Sequence, residues 1–212
     1  MVFASREAAG QLLGRSLKEQ GRRADLVLGL PRGGVIVAAE VARVLRVPLE
    51  VLIVRKIGHP WHREFALGAM AEDGVVVLDN AAVSRNPLLQ TQLDQIIDEE
   101  KQRLQAYQGR FRPAPLDLQG KTVLLVDDGL ATGSTAEAGV LSARKQNASR
   151  IIVAAPVAST NAVERLQKVA DEVWCLFIDE GFDAVGRYYE VFSQTTDAEV
   201  LDLLRIEAIK GG

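Results

Sequence analysis

Two adjacent carboxylates, Asp127 and Asp128, follow the apolar run Val123-Leu124-Leu125-Val126 and lead into Gly129-Leu130-Ala131-Thr132-Gly133-Ser134-Thr135. A small-residue turn that opens a helix presents free backbone N–H groups and the positive end of the helix dipole, which suits a phosphate. Gly133 lets the backbone come close, and Thr132, Ser134 and Thr135 add hydroxyl donors. The carboxylates would then accept hydrogen bonds from the hydroxyls of whatever carries the phosphate, and a sugar phosphate fits. The competing reading is that Asp127 and Asp128 cap a turn while the hydroxyl cluster caps the helix. Two neighbouring carboxylates repel each other, so removing both is expected to leave the empty protein no less stable.

Spacing excludes two other phosphate-binding loops. A P-loop needs Gly, four residues, then Gly-Lys, whereas Gly129 and Gly133 are separated by three residues and Ser134 follows. The dinucleotide pattern G-x-G-x-x-G is absent from this turn and from residues 29–34. A strand ending in Asp-Asp also occurs in phosphoacceptor receiver domains. There the acids sit near the chain start, and a Thr-Gly-Ser-Thr run has no role.

Three further clusters carry charge or aromatic faces. Pro31-Arg32-Gly33-Gly34 follows a short apolar run, Arg55-Lys56 follows another, and Asp179, Phe182, Tyr188, Tyr189 and Phe192 lie beyond a third. The cations suit an anion, or are the solvated end of a strand. The aromatic faces suit a planar ring, or pack under a last helix. His59 and His62 flank Pro60, which rules out a clean helical metal face, and the lone Cys175 allows no internal disulfide or cysteine metal cluster.

Positioning these groups requires alternating elements. Ser5 caps a predicted helix to Gln20, a strand spans 25–30, a helix 35–45 and a strand 49–54 ending on Arg55-Lys56. Residues 57–73 read as a Gly-, Pro- and His-containing loop that is expected to order on ligand binding, and 75–78 as a short edge strand. Leu89, Leu93, Ile96, Ile97, Leu104 and Tyr107 recur at helical spacing, giving one long amphipathic helix over 86–108. Strands at 121–126, 151–156 and 172–178 alternate with helices at 135–146 and 161–169, and a last helix runs near 197–209. That alternation implies a parallel sheet covered on both faces, which binds ligands at the carboxyl ends of its strands.

The 212 residues fit a single domain, and 48% hydrophobic with 25% charged residues describes an ordinary globular chain. A net charge of −3 gives no basic footprint, so no nucleic-acid partner is expected. No secretory signal and no apolar run of about 20 residues is present, so no membrane partner is expected and the cytoplasm is the expected location.

Residues 123–135 resemble the phosphoribosyl pyrophosphate (PRPP) signature of type I phosphoribosyltransferases: apolar strand, two acids, variable residues, Thr-Gly, then Ser/Thr. Leu30-Pro31-Arg32-Gly33-Gly34 looks like that family's pyrophosphate loop. Arg55-Lys56-Ile57-Gly58-His59-Pro60 is similar to a stretch of adenine phosphoribosyltransferases that leads into a mobile catalytic loop. The match covers about 25–178, and the whole pattern looks most like bacterial phosphoribosyltransferases whose acceptor is unassigned.

The resemblance implies an α/β fold, with a parallel-sheet type I phosphoribosyltransferase core flanked by helices and a small helical hood. That hood would come from the N-terminal helix, residues 86–108 and the C-terminal segment. It implies that Asp127 and Asp128 bind the ribose hydroxyls, directly or through Mg²⁺, and that Ala131, Thr132, Gly133, Ser134 and Thr135 cradle the 5′-phosphate. Arg32, Gly33 and Gly34 would meet the pyrophosphate, with Arg55 and Lys56 neutralising it as it leaves. Asp179, Phe182 and Tyr188 would form the acceptor pocket. The expected reaction transfers ribose 5-phosphate from PRPP to a nitrogen acceptor, such as a nucleobase, releasing pyrophosphate. A homo-oligomer is compatible with this. The alternative within the family is a PRPP- or nucleotide-binding regulator without catalysis. Ala131 departs from the acid that 6-oxopurine enzymes carry there, so hypoxanthine and guanine are expected to be poor acceptors.

Overall fold

A computed structural model describes residues 1–59, 66–79, 83, 87–111 and 115–210. Five strands, β1 (Leu26–Gly29), β2 (Leu49–Val51), β6 (Thr122–Val126), β7 (Arg150–Ser159) and β8 (Glu172–Asp179), form one parallel sheet in the order β2-β1-β6-β7-β8. They are short and almost wholly apolar, as strands covered on both faces must be. A second, antiparallel sheet holds β3 (Val54–Gly58), β4 (Ala66–Ala71) and β5 (Val76–Leu78) in that order.

Helices α1 (Arg6–Glu19) and α2 (Gly33–Leu45) cover one face of the large sheet, joined by α6 (Asp197–Lys210). Helices α4 (Ser134–Lys145) and α5 (Thr160–Leu166) cover the other. The long helix α3 (Pro87–Phe111) lies against β3 and β4. Gly10 and Gly14 bring α1 close to α2: a Cβ on Gly10 would stand 2.7 Å from the Val37 carbonyl oxygen. No helix among the described residues is long and apolar enough to cross a membrane.

Two expectations are corrected. The apolar run 49–54 is not one strand. The chain leaves the large sheet at Leu52, whose N–H donates to the Gly29 carbonyl, and joins the small sheet where the Ile53 N–H meets the Glu72 carboxylate. Arg55 and Lys56 therefore lie inside β3 rather than at a strand end. Nor is 57–73 one loop, because β3 extends to Gly58 and β4 begins at Ala66; Pro60, His62 and Arg63 lie outside the described residues.

Strand β7 also runs past Pro156. Pairing with β6 ends at Ala154, so the missing proline N–H falls beyond the ladder. Leu130 takes over as neighbour from there, exchanging backbone bonds with Val157 and Ser159.

Candidate active site

At the carboxyl ends of β1 and β6 the sequence clusters converge. One cavity of about 380 Å³ is lined by Pro31, Arg32, Gly33, Lys56 and the unbroken run 127–136, with Val54 and Val185 adding apolar wall. Leu130, buried against β7, pins that run, and the Ser159 hydroxyl donates to the Ala131 carbonyl at 2.6 Å. Gly133 holds φ at 76°, a left-handed turn that glycine takes without strain, and delivers the chain into α4. Thr132 and Ser134 hydroxyls lie 3.2 Å apart at that turn.

Two helices start on this cavity, α2 at Gly33 and α4 at Ser134. Neither Arg32 nor Gly133 caps its own helix with a side chain, whereas Ser5 and Ser159 do so for α1 and α5. Two sets of helix-terminal N–H groups, each at a positive dipole end, thus face the same space. The Pro31–Arg32 peptide is cis.

The acid pair is not symmetric. Asp127 accepts from the Asp128 N–H at 2.8 Å, and burial, reinforced by the charge of Asp128, holds its carboxyl well above the usual carboxylate range. Asp128 is paired: the Arg6 guanidinium donates Nε–H to its Oδ2 at 2.7 Å, with both side chains largely buried. The same guanidinium donates to the Ser193 carbonyl at 2.8 Å and lies 3.9 Å from the centre of the Phe192 ring. The Tyr189 hydroxyl donates to the Asp128 carbonyl at 2.6 Å, and burial keeps that phenol protonated. Arg6 supplies Asp128 with a counter-charge that the expectation of harmless removal of both acids did not include.

The glycines of residues 33–34 are needed for this closeness. A Cβ on Gly33 would stand 2.0 Å from Asp128 Oδ2, and one on Gly34 would stand 2.8 Å from Asp127 Oδ1. Two segments far apart in sequence hold the assembly. Phe3 and Ala4 exchange backbone bonds with residues 188–191, the Phe3 N–H donating to the Tyr188 carbonyl at 2.7 Å and the Glu190 N–H to the Phe3 carbonyl at 2.8 Å.

The other sequence-singled residues sit elsewhere. Alternation along β3 sends Lys56 to the cavity and Arg55 toward α3, where Arg55 Nε meets Glu100 at 3.3 Å and the guanidinium lies 5.6 Å from the Tyr107 ring centre. Asp179, Phe182 and Tyr188 come together but do not line the cavity. Tyr188 donates to Asp179 at 2.7 Å, which with the Gly181 N–H holds that carboxyl below its usual range, and Phe182 stacks on Tyr188 at 5.2 Å. Among the described residues no three His, Cys, Asp or Glu side chains group as a metal cage.

Sequence reasoning missed Arg6 and Val185. The signal for Arg6 was a cation in the first turn of a helix, against the positive dipole end, where an acid is favoured. Nothing in the sequence marked Val185, which packs where a Gly129 Cβ would stand, 2.7 Å from its Cγ1.

A protein of Mycobacterium tuberculosis, named "Putative phosphoribosyl transferase", is 42% identical over 205 residues, 96% of this chain but 46% of the relative. The chain thus spans about half the length of the curated relatives it matches. A ribose-phosphate pyrophosphokinase of Pyrococcus furiosus is 38% identical over 76 residues, 35% of this chain and 27% of that protein. The crystal structure of TT1426 from Thermus thermophilus superposes with a TM-score of 0.79 at 43% identity, covering 96% of this chain and 98% of that one. A purine phosphoribosyltransferase of Pyrococcus horikoshii shares the fold, with a TM-score of 0.51 at 19% identity over 90% of this chain and 91% of that one. The family model of the phosphoribosyl transferase domain matches residues 2–190, and the chain belongs to that family.

Proposed function

We propose that this chain is a cytoplasmic, Mg²⁺-dependent phosphoribosyltransferase that binds PRPP and passes ribose 5-phosphate to a nitrogen acceptor with release of pyrophosphate. One observation carries the reading: the acid pair, two open helix N-termini, Arg32 and Lys56 share a single cavity. The start of α4 with Thr132, Ser134 and Thr135 suits the 5′-phosphate, and Asp127 and Asp128 suit the ribose hydroxyls. The start of α2 with Arg32 suits the diphosphate, held apart from the 5′-phosphate by the acids between them.

In the reaction the acceptor nitrogen forms a bond to C1 as the C1–O bond to pyrophosphate breaks. The electron pair leaves with pyrophosphate, and the acceptor proton goes to solvent or a base. The protein's share is positioning and charge stabilisation: Lys56 and Arg32 face the oxygens on which negative charge grows. Arg55 joins them only if Glu100 releases it. The donor set fits a metal carried largely by substrate oxygens, with Asp127 and Asp128 as its protein contacts, because two carboxylates alone make no cage. When bound, Mg²⁺ would neutralise the diphosphate.

The test is pyrophosphate release from PRPP and Mg²⁺ across a panel of nucleobases, heterocycles and amines. Turnover with an adenine-like or amine acceptor and little with hypoxanthine or guanine is expected, since the site presents Ala131 where an acid would read a 6-oxopurine. Tight PRPP binding with no turnover across the panel would make the chain a regulator, and failure to bind PRPP would end the assignment.

A further inference from the structure

An open sheet ends on two edge strands, each with a row of backbone N–H and C=O groups that lack a neighbour. Three of the four edges among the described residues are blunted. Strand β2 is three residues long and follows Pro48, and β5 is also only three residues long. Strand β3 carries Arg55 and Lys56, a bulge at Ile57 and Gly58, and the cover of α3.

Strand β8 has none of these defences. It is eight residues long, Glu-Val-Trp-Cys-Leu-Phe-Ile-Asp, with no proline, lysine or arginine, and it closes the order β2-β1-β6-β7-β8. Val173 and Cys175 pack on one core and Trp174 and Leu176 on the other, so both faces hold the strand in place. Even so, its residues are half-buried, Ile178 is 49% exposed, and no described strand pairs with its outer edge. A long apolar edge of this kind is a template for another strand.

The charges at its two ends indicate which strand. At the start of β8, Arg22 and Arg150 share the single carboxylate of Glu172, at 2.6 and 2.9 Å. At its finish, Asp179, Glu180 and Asp183 stand against Arg187 and the chain's amino group. One end is thus positive and the other negative. A second β8 laid antiparallel sets each positive end beside a negative one, twice over, whereas a parallel copy would set like beside like. Two-fold symmetry makes that contact self-complementary.

We propose that β8 is a self-association edge: two copies of this chain pair antiparallel along Glu172–Asp179, joining their two parallel sheets into one. No residue of β8 lines the main cavity, so the pairing stands apart from the phosphoribosyl reading.

Sedimentation velocity of the whole chain tests this, with hydrogen exchange of the β8 amides as a second readout. At micromolar concentration the wild type should sediment at twice the mass of one chain and dissociate on dilution. Alternate amides of β8 should exchange slowly only while it is dimeric. Ile178→Lys puts a charge on the open edge at an exposed position, and should weaken association about tenfold while sparing the fold. Arg150→Glu should weaken it by setting acid beside acid, and adding Glu180→Arg should restore it. A local defect, or contact through another surface, would give no such rescue. A wild-type monomer at high micromolar concentration leaves the edge to some other strand and overturns the proposal. So does a dimer unchanged in Ile178→Lys and Arg150→Glu, or one whose β8 amides exchange freely, because it is built on another surface. Failure of the double variant to recover overturns the antiparallel arrangement. Thermal unfolding checks each variant's fold, and wild-type exchange decides the matter if one of them misfolds.

Discussion

Asp127 and Asp128 are chemically alike and structurally opposite, and single substitutions should separate them. Asp127 is held above the usual carboxylate range by burial first and the charge of Asp128 second. A carboxyl whose pKa is raised on folding weakens the fold as pH climbs from its unfolded value, about 4, to its folded one. Asp127→Asn should therefore raise the melting temperature at pH 8 more than at pH 4, while abolishing measurable PRPP affinity. A lower melting temperature at pH 8 would contradict this. Asp128→Asn should act the other way. It leaves the largely buried Arg6 without its counter-charge, at a cost of about 1–3 kcal/mol in urea unfolding. The loop 127–135 could be read from residue types, because its hydroxyls and glycines are spaced along one short segment. Arg6 could not be paired with Asp128 that way, since 122 positions separate them.

At the scale of elements, the alternation of strands and helices was legible because most strands of the large sheet are apolar runs bounded by Gly, Pro or charge. The division of 49–54 between two sheets was not, because Leu52 and Ile53 are as apolar as their neighbours and only long-range partners, Gly29 and Glu72, end one strand before the next begins. The antiparallel sheet was legible only at 76–78. Its strand β4, Ala66–Ala71, is mostly alanine and glycine and carries no β-branched residue. Helix positions matter to the site as well. Gly10→Val would drive a side chain into the Val37 carbonyl and the Glu40 Cβ, 2.7 and 2.8 Å from a first carbon. The expected cost is about 1–3 kcal/mol as α1 is pushed from α2. Because Arg6 begins α1, PRPP affinity should fall with stability in the same variant, measured by urea unfolding and calorimetry. Full PRPP affinity in a destabilised Gly10→Val would show that α1 can shift without moving Arg6.

For the whole molecule, a ligand that binds only the folded chain stabilises it by mass action. PRPP with Mg²⁺ at a hundred times its dissociation constant should add about 2.7 kcal/mol, or roughly 5–10 °C in melting temperature for a chain of this size. A shift with nucleoside triphosphates but none with PRPP would refute the assignment. Helices α3 and α6 are tied to each other, because Tyr107 donates to Asp197 at 2.8 Å and Arg110 approaches the same carboxylate at 3.4 Å. Burial and that bond lift the Tyr107 phenol to about 12, so the link should survive throughout the neutral range.

The clasp between residues 3–4 and 188–191 also imposes an order in time. Synthesis makes Arg6 early, then Asp128 after 122 further positions, and the Ser193 carbonyl that steadies the guanidinium only after 187. At a ribosomal pace of about 5–20 residues per second, roughly 10–40 s separate the first of these from the last. Once residue 135 is made, a nascent chain carries the whole 127–135 loop without a finished site until Ser193 follows, roughly 3–12 s later. Chains stalled short of residue 188 should accordingly hold a collapsed sheet, remain open to protease near α1, and gain no protection from PRPP until the missing segment is added.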